Sequence, residues 1–188
     1  MPGRNSLTVQ QAARRLSQGA VIAYPTEAVY GLGCDPFNET AVKRVLELKN
    51  RPAEAGLILI ADTFDQFLPF IQPVSDELMG RAMSAWPGPV TWLFPRGDSV
   101  SRWIAGIHDT VALRLTAHPV CRELCAAFGG AIVSTSANPS RSEPARSARQ
   151  VQRYFGAALA GVVEGDLGGD DSPSEIRDLA SGRVLRGG

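Results

Sequence analysis

Five short apolar runs, AVIAY, GLILIA, PVTWLFP, VALRL and AIVSTSA, recur along this chain with helical patterns between most of them. That alternation is what most limits the fold. Strands separated by amphipathic helices build an α/β layer structure, because each sheet face must be covered by helices. TVQQAARRLSQG places Val9, Ala12, Ala13 and Leu16 at helical spacing, with Thr8 as cap and Gly19 as stop. NETAVKRVLELKNRP predicts a helix capped by Asn38 that ends near Arg51, since Pro52 disfavours helical geometry in the residue before it. Further helices are predicted over Asp76 to Ala85, Pro119 to Phe128 and the SARQVQRYF stretch. GLILIA is continuously apolar, as a central strand is. The late strands AGVVEG, SEIRDL and RVLRG lie close together between Gly and Pro turns, which favours a mixed sheet over a purely parallel one.

At 188 residues one domain spanning 1–188 is expected, large enough to bury about 70% of its unfolded surface. Nineteen basic residues balance nineteen acidic ones, which argues against a chain coated in nucleic acid but leaves room for a local basic face. No run reaches the roughly 18 apolar residues of a membrane helix, and the N-terminus lacks the apolar core of a signal peptide. Three cysteines make no disulfide framework, so the expected compartment is the cytoplasm.

YPTEAVYGLGCDP suggests a phosphate loop at first sight. A dinucleotide fingerprint would need a third glycine where Pro36 stands, and the Gly-Lys-Ser/Thr of a Walker loop occurs nowhere. The glycines are therefore expected to shape a turn between strand and helix. ELKNRP places Lys49 and Arg51 at a helix C-terminus, where two cations could serve as caps or meet a polyphosphate. VSTSANPS ends an apolar strand with three hydroxyls and Asn138, a position where α/β sheets bind ligands. Arg114, inside an otherwise apolar strand, requires an anion, either a protein carboxylate or a ligand. His118, Cys121 and Cys125 lack zinc spacing, and the two thiols read as buried on one helix face; no metal site is assigned. The carboxylates of EGDLGGDDSPSE read as a solvated loop.

Taken together, YPTEAVYGLGCDP, ELKNRP, GLILIA, WPGPVTWLFP, STSANPS and SPSEIRDLASGRVLRGG resemble the threonylcarbamoyl-AMP synthases, the YrdC-like family, in the order that family shows. The resemblance covers nearly the whole chain and is nearest to the short bacterial form. It implies a twisted mixed α/β sheet with flanking helices and a concave basic cleft. It also implies a reaction: L-threonine, bicarbonate or CO2, and ATP give threonylcarbamoyl-adenylate and diphosphate. A downstream transferase complex then modifies adenosine 37 of tRNAs reading codons that begin with A; any direct contact of this chain with tRNA would be weak. Mg²⁺ is expected with the ATP.

The family's Lys-x-Arg and Ser-x-Asn match Lys49 and Arg51, then Ser136 and Asn138, and these four carry the implied catalytic role. Lys49 and Arg51 would neutralise ATP phosphates, with Ser134, Ser136 and Asn138 orienting phosphates and adenylate and Thr91 lining the nucleotide pocket. Thr26, Arg114 and Ser174 would hold threonine. The chain departs from the family in reading SPSEIRD where relatives commonly have Ser-Thr-Ile-Val-Asp, and in having no histidine in LILIAD. The rival reading is a non-catalytic RNA-binding module in tRNA or ribosome maturation, built on Arg141, Arg146, Arg149 and Arg153. The lack of interleaved aromatics for stacking weighs against it.

Overall fold

The computed structural model describes residues 5–187; residues 1–4 and 188 of the expected domain lie outside that range. Ten strands form one mixed sheet: β1 (Ser6–Leu7), β2 (Ile22–Pro25), β3 (Tyr30–Gly33), β4 (Ile58–Ala61), β5 (Val90–Pro95), β6 (Thr110–Leu115), β7 (Ile132–Ser136), β8 (Val162–Val163), β9 (Glu175–Asp178) and β10 (Val184–Arg186). They stand in the order β1-β8-β2-β3-β7-β4-β6-β5-β9-β10. The pairs β1/β8, β8/β2, β4/β6 and β5/β9 are parallel and the others antiparallel. Thus β4 is central, between β6 and β7, as its apolar run predicts.

The helices begin where their caps predict. In α1 (Val9–Ser17) the Thr8 hydroxyl accepts from the Gln11 amide while the Gln11 side chain accepts from the Thr8 N–H, a reciprocal capping box. The side chain of Asn38 caps α2 (Glu39–Lys49), whose C-cap Asn50 turns left-handed at φ 48°. The remaining helices are α3 (Asp76–Met83), the short α4 (Arg102–Ala105), α5 (Pro119–Phe128) and α6 (Ala148–Phe155). A 3-10 stretch over Phe64–Phe70, unmarked by helical periodicity, carries Phe64 and Phe67 into an aromatic cluster with Trp86 and Phe94.

Strand alternation sorts the core into two layers. Leu59, Ala61, Val133 and Leu113 join the larger core with Val42, Val45 and Leu46 of α2. Ile22, Tyr24, Ile60 and Ile132 face the opposite way, onto Ala12, Ala13 and Leu16 of α1 and Leu124, Cys121 and Cys125 of α5. All three cysteines are buried free thiols. Among the described residues no group of three or more His, Cys, Asp or Glu could hold a metal ion, and no helix is long and apolar enough to cross a membrane.

The glycines of YGLG do not make a turn. They lie within β3, antiparallel to β2, with Tyr24 opposite Gly31. A Cβ on Gly33 would stand 2.6 Å from Cε1 of Tyr24 and 2.7 Å from the Val133 carbonyl oxygen. The absent side chain is what lets the Tyr24 ring cross the strand and donate its hydroxyl to Val133 O at 3.0 Å. Periodicity alone hides this strand, because the residue that fills its face belongs to its neighbour.

Candidate active site

On the sheet face covered by α1 and α5, the residues that extend past those helices change character. Ile58, Ser134 and Ser136 follow Ile60 and Ile132 by strand alternation, Arg114 is in register with Ile60, and Gly31 with Ser136. Here the sheet loses its helical cover and encloses a cavity of about 190 Å³. Its walls bring together Thr26, Arg51, Arg114, Ser134, Ser136 and Ser174, residues from nearly the whole length of the chain. Sequence reasoning placed none of Glu27, Asp170 or Arg186 there, yet all three also line it.

Two sides of the cavity have different chemistry. At the β2–β3 turn, Thr26 is 6% exposed and its hydroxyl donates to Val29 O at 2.7 Å, fixing the turn. The next residue, Glu27, pairs with Arg114 at 3.1 Å and accepts from the Thr116 hydroxyl at 2.6 Å. Burial pushes the Glu27 carboxyl up, but the Arg114 guanidinium and the Thr116 hydroxyl outweigh it and leave it below its ordinary value. The anion that Arg114 requires is thus first of all a protein carboxylate. A strap from the EGDLGGDDSPS stretch closes over this turn, with Gly168 N donating to Thr26 O and Asp170 N to Glu27 O, each at 3.1 Å.

On the other side stands the turn after β7. Lys49 is 6% exposed, and its ammonium donates to Ser136 O, to Asn138 O at 3.0 Å, and to Ser136 Oγ and Asn138 Oδ1 at 3.3 Å. Burial, then the nearby Arg51 charge, lower its pKa from 10.5 to about 8. Asn138 in turn donates from Nδ2 to Pro139 O and Ser142 O, and the Ser140 amide donates to Lys49 O. Lys49 and Asn138 therefore organise the turn from behind; neither is in the cavity wall. Arg51 is in the wall, its Nε and Nη2 bonded to Gly56 O and Nη2 also to Ala55 O. Arg186 crosses from β10 to donate to Ser174 O at 2.9 Å, and desolvation followed by the Arg51 and Arg114 charges lower its pKa.

Thr91, expected to line the nucleotide pocket, does not border this cavity. It is fully buried; its hydroxyl instead bonds to Ser174 Oγ at 2.9 Å, one layer behind the wall. Arg51, Arg114 and Arg186 line the cleft, with Glu27 and Asp170 standing among them. The charges that set SPSEIRD apart are mutually satisfied, Arg177 donating from Nε to Glu175 at 2.8 Å on the same strand. Arg186 was traceable only as an arginine in a short terminal strand, and Glu27 only as the residue after Thr26.

Residues 14–188 match the Sua5/YciO/YrdC family model, described as "Telomere recombination". The chain is 52% identical over 185 residues to the threonylcarbamoyl-AMP synthase of Halorhodospira halophila, covering 98% of this chain and 97% of that protein. It is 53% identical over 184 residues to the protein of that name from Pseudomonas savastanoi pv. phaseolicola, covering 98% and 99%. Its fold superposes on the crystal structure of P. abyssi Sua5 complexed with L-threonine with a TM-score of 0.88 at 34% identity. That match covers 95% of this chain and 53% of the other, so this chain spans about half its length.

Proposed function

The chain belongs to the Sua5/YciO/YrdC family, and on that footing we propose that it is a threonylcarbamoyl-AMP synthase acting in the cytoplasm. It takes L-threonine, bicarbonate or CO2, and ATP to threonylcarbamoyl-adenylate and diphosphate. The adenylate passes to a downstream transferase complex that modifies adenosine 37 of tRNAs reading codons that begin with A. The observation carrying this reading is the convergence of Thr26, Arg114 and Ser174 with Arg51, Ser134 and Ser136 on one cavity.

The chemistry asks little covalent help of the protein. The neutral threonine amine adds to CO2 (bicarbonate first losing water) and gives up a proton to solvent, leaving a carbamate; a carbamate oxygen then attacks the α-phosphorus of ATP, the P–O bond to diphosphate breaks, and diphosphate leaves. Such a displacement depends on in-line placement and charge neutralisation. Thr26, Arg114 and Ser174 hold the amino acid, with Arg114 facing its carboxylate. Arg51 lies against the phosphates, and Ser134 and Ser136 present hydroxyls to them. Lys49 places a positive charge beneath the Ser136–Asn138 turn and keeps that turn in shape. Mg²⁺ would come with the ATP substrate and share the diphosphate charge while retaining several of its waters.

The test is mass-spectrometric detection of threonylcarbamoyl-adenylate after incubation with L-threonine, bicarbonate and MgATP. Diphosphate should appear in equal amount and depend on threonine. Folded protein that yields neither would refute the proposal.

A further inference from the structure

Glu27 touches the cavity from a position that substrate contact does not explain. Its carboxylate and the Arg114 guanidinium are both nearly sealed, with side chains 8% and 9% exposed. Oε1 is taken by the Thr116 hydroxyl, and Oε2, 3.1 Å from Arg114 Nη1, makes no hydrogen bond among the described residues; neither does Arg114 Nε. These two atoms are buried, so a ligand cannot reach them directly. The arrangement is held on three sides. Thr116 Oγ1 also accepts from the His118 amide, His118 Nε2 meets Asp166 O at 3.1 Å, and the strap packs Gly168 so closely that a Cβ there would stand 2.9 Å from Glu27 Cα.

We infer that Glu27 is a positioning and specificity-determining residue: it fixes the Arg114 guanidinium and cancels its charge, so this end of the cavity suits a zwitterionic amino acid over a simple carboxylate. The inference rests on the reading of Arg114 as the partner of the substrate carboxylate. An unpaired arginine would attract any carboxylate. Beside a fixed anion, the same arginine keeps its hydrogen-bonding fork while the surrounding field turns nearly neutral, and the nearby carboxylate then favours a ligand that carries an ammonium group as well.

Calorimetric titration with L-threonine and with 3-hydroxybutyrate, which lacks the amine, separates these effects. The wild-type protein should prefer threonine by about tenfold or more, the scale of one charge-assisted contact. Glu27→Gln should narrow that preference to within about threefold while affinity for a non-hydrolysable ATP analogue stays within about twofold. Thr116→Val, which releases Oε1 without removing a charge, should weaken threonine about three- to tenfold at unchanged ATP-analogue affinity. It decides the matter if Glu27→Gln does not fold. A wild-type preference ratio in Glu27→Gln, or wild-type threonine affinity in Thr116→Val, overturns the inference. Should Arg114→Gln bind threonine as the wild type does, the amino-acid reading of the cavity falls, and this inference with it. Should Arg114→Gln lose threonine while Glu27→Gln keeps the wild-type ratio, only the role of Glu27 falls.

Discussion

Replacing Lys49 with methionine sets two large terms against each other. The ammonium serves the carbonyls of Ser136 and Asn138, and removing it leaves both without that donor. Ser136 O keeps the Asn138 amide as a donor at 3.0 Å, so Asn138 O is the carbonyl left short, at about 1–3 kcal/mol. Against this, methionine relieves the cost of burying a charge. A lowering from 10.5 to about 8 corresponds to about 3 kcal/mol of disfavour for the charged form. The four oxygens around the ammonium act against that lowering, so the relief is at most this large. The two terms largely offset, so the net loss of stability should not exceed about 3 kcal/mol, a fall in Tm of at most about 12 °C for a chain of this size. Activity should fall much further, because the turn loses its clamp and the phosphates lose a charge. A decrease of about 10- to 100-fold in kcat/KM for ATP is expected, the scale of one charge-assisted interaction exerted through the turn. The pH profile supplies an independent check. The folded pKa lies below the unfolded one, so the unfolded chain holds more protons between about pH 8 and 10.5. Lys49 therefore makes stability rise with pH across that window. Denaturant titrations from pH 7 to 10.5 should show this rise in the wild type and lose its Lys49 component in Lys49→Met. If the variant keeps wild-type kcat/KM, or if its stability keeps the full wild-type rise, the reasoning is wrong.

Gly33→Ala should cost about 1–3 kcal/mol, because its Cβ would press on the Tyr24 ring and on Val133 O, which belongs to a paired strand and cannot yield cheaply. Chemical denaturation measures this, and a change below about 0.5 kcal/mol would mean that the ring moves aside freely. Thr91→Val should remove about 1–2 kcal/mol through the lost hydroxyl contact with Ser174. It should raise the KM for threonine about three- to tenfold and leave that for ATP unchanged. A shift confined to the ATP KM would return Thr91 to the nucleotide side.

The elements legible in the sequence are those whose signals are local. Thr8 and Asn38 cap α1 and α2, Pro119 opens α5, and the apolar runs become β2, β4, β5, β6 and β7. The strand over Tyr30–Gly33 was not legible, since its glycines gain their meaning only from Tyr24 across the pair. The same limit applies to the site. Thr26, Arg51, Arg114, Ser134, Ser136 and Ser174 were reached through motif order, and the fold brings them to one cavity. Depth is what motif order could not supply. It did not put Thr91 behind Ser174, nor Lys49 and Asn138 beneath the turn, because both facts depend on long-range packing. Arg114 called for an anion on electrostatic grounds, but only the β2–β3 turn identifies Glu27 as that anion.

The sheet order gives the cavity a mechanical role. Its wall runs from Thr26, just after β2, to Arg186 on β10, an edge strand that among the described residues pairs with β9 alone. A molecule held between those walls acts as a removable cross-link between the β2–β3 turn and the β10 edge of the sheet. Saturation with both substrates should therefore slow amide exchange in β10 as well as in the residues they touch.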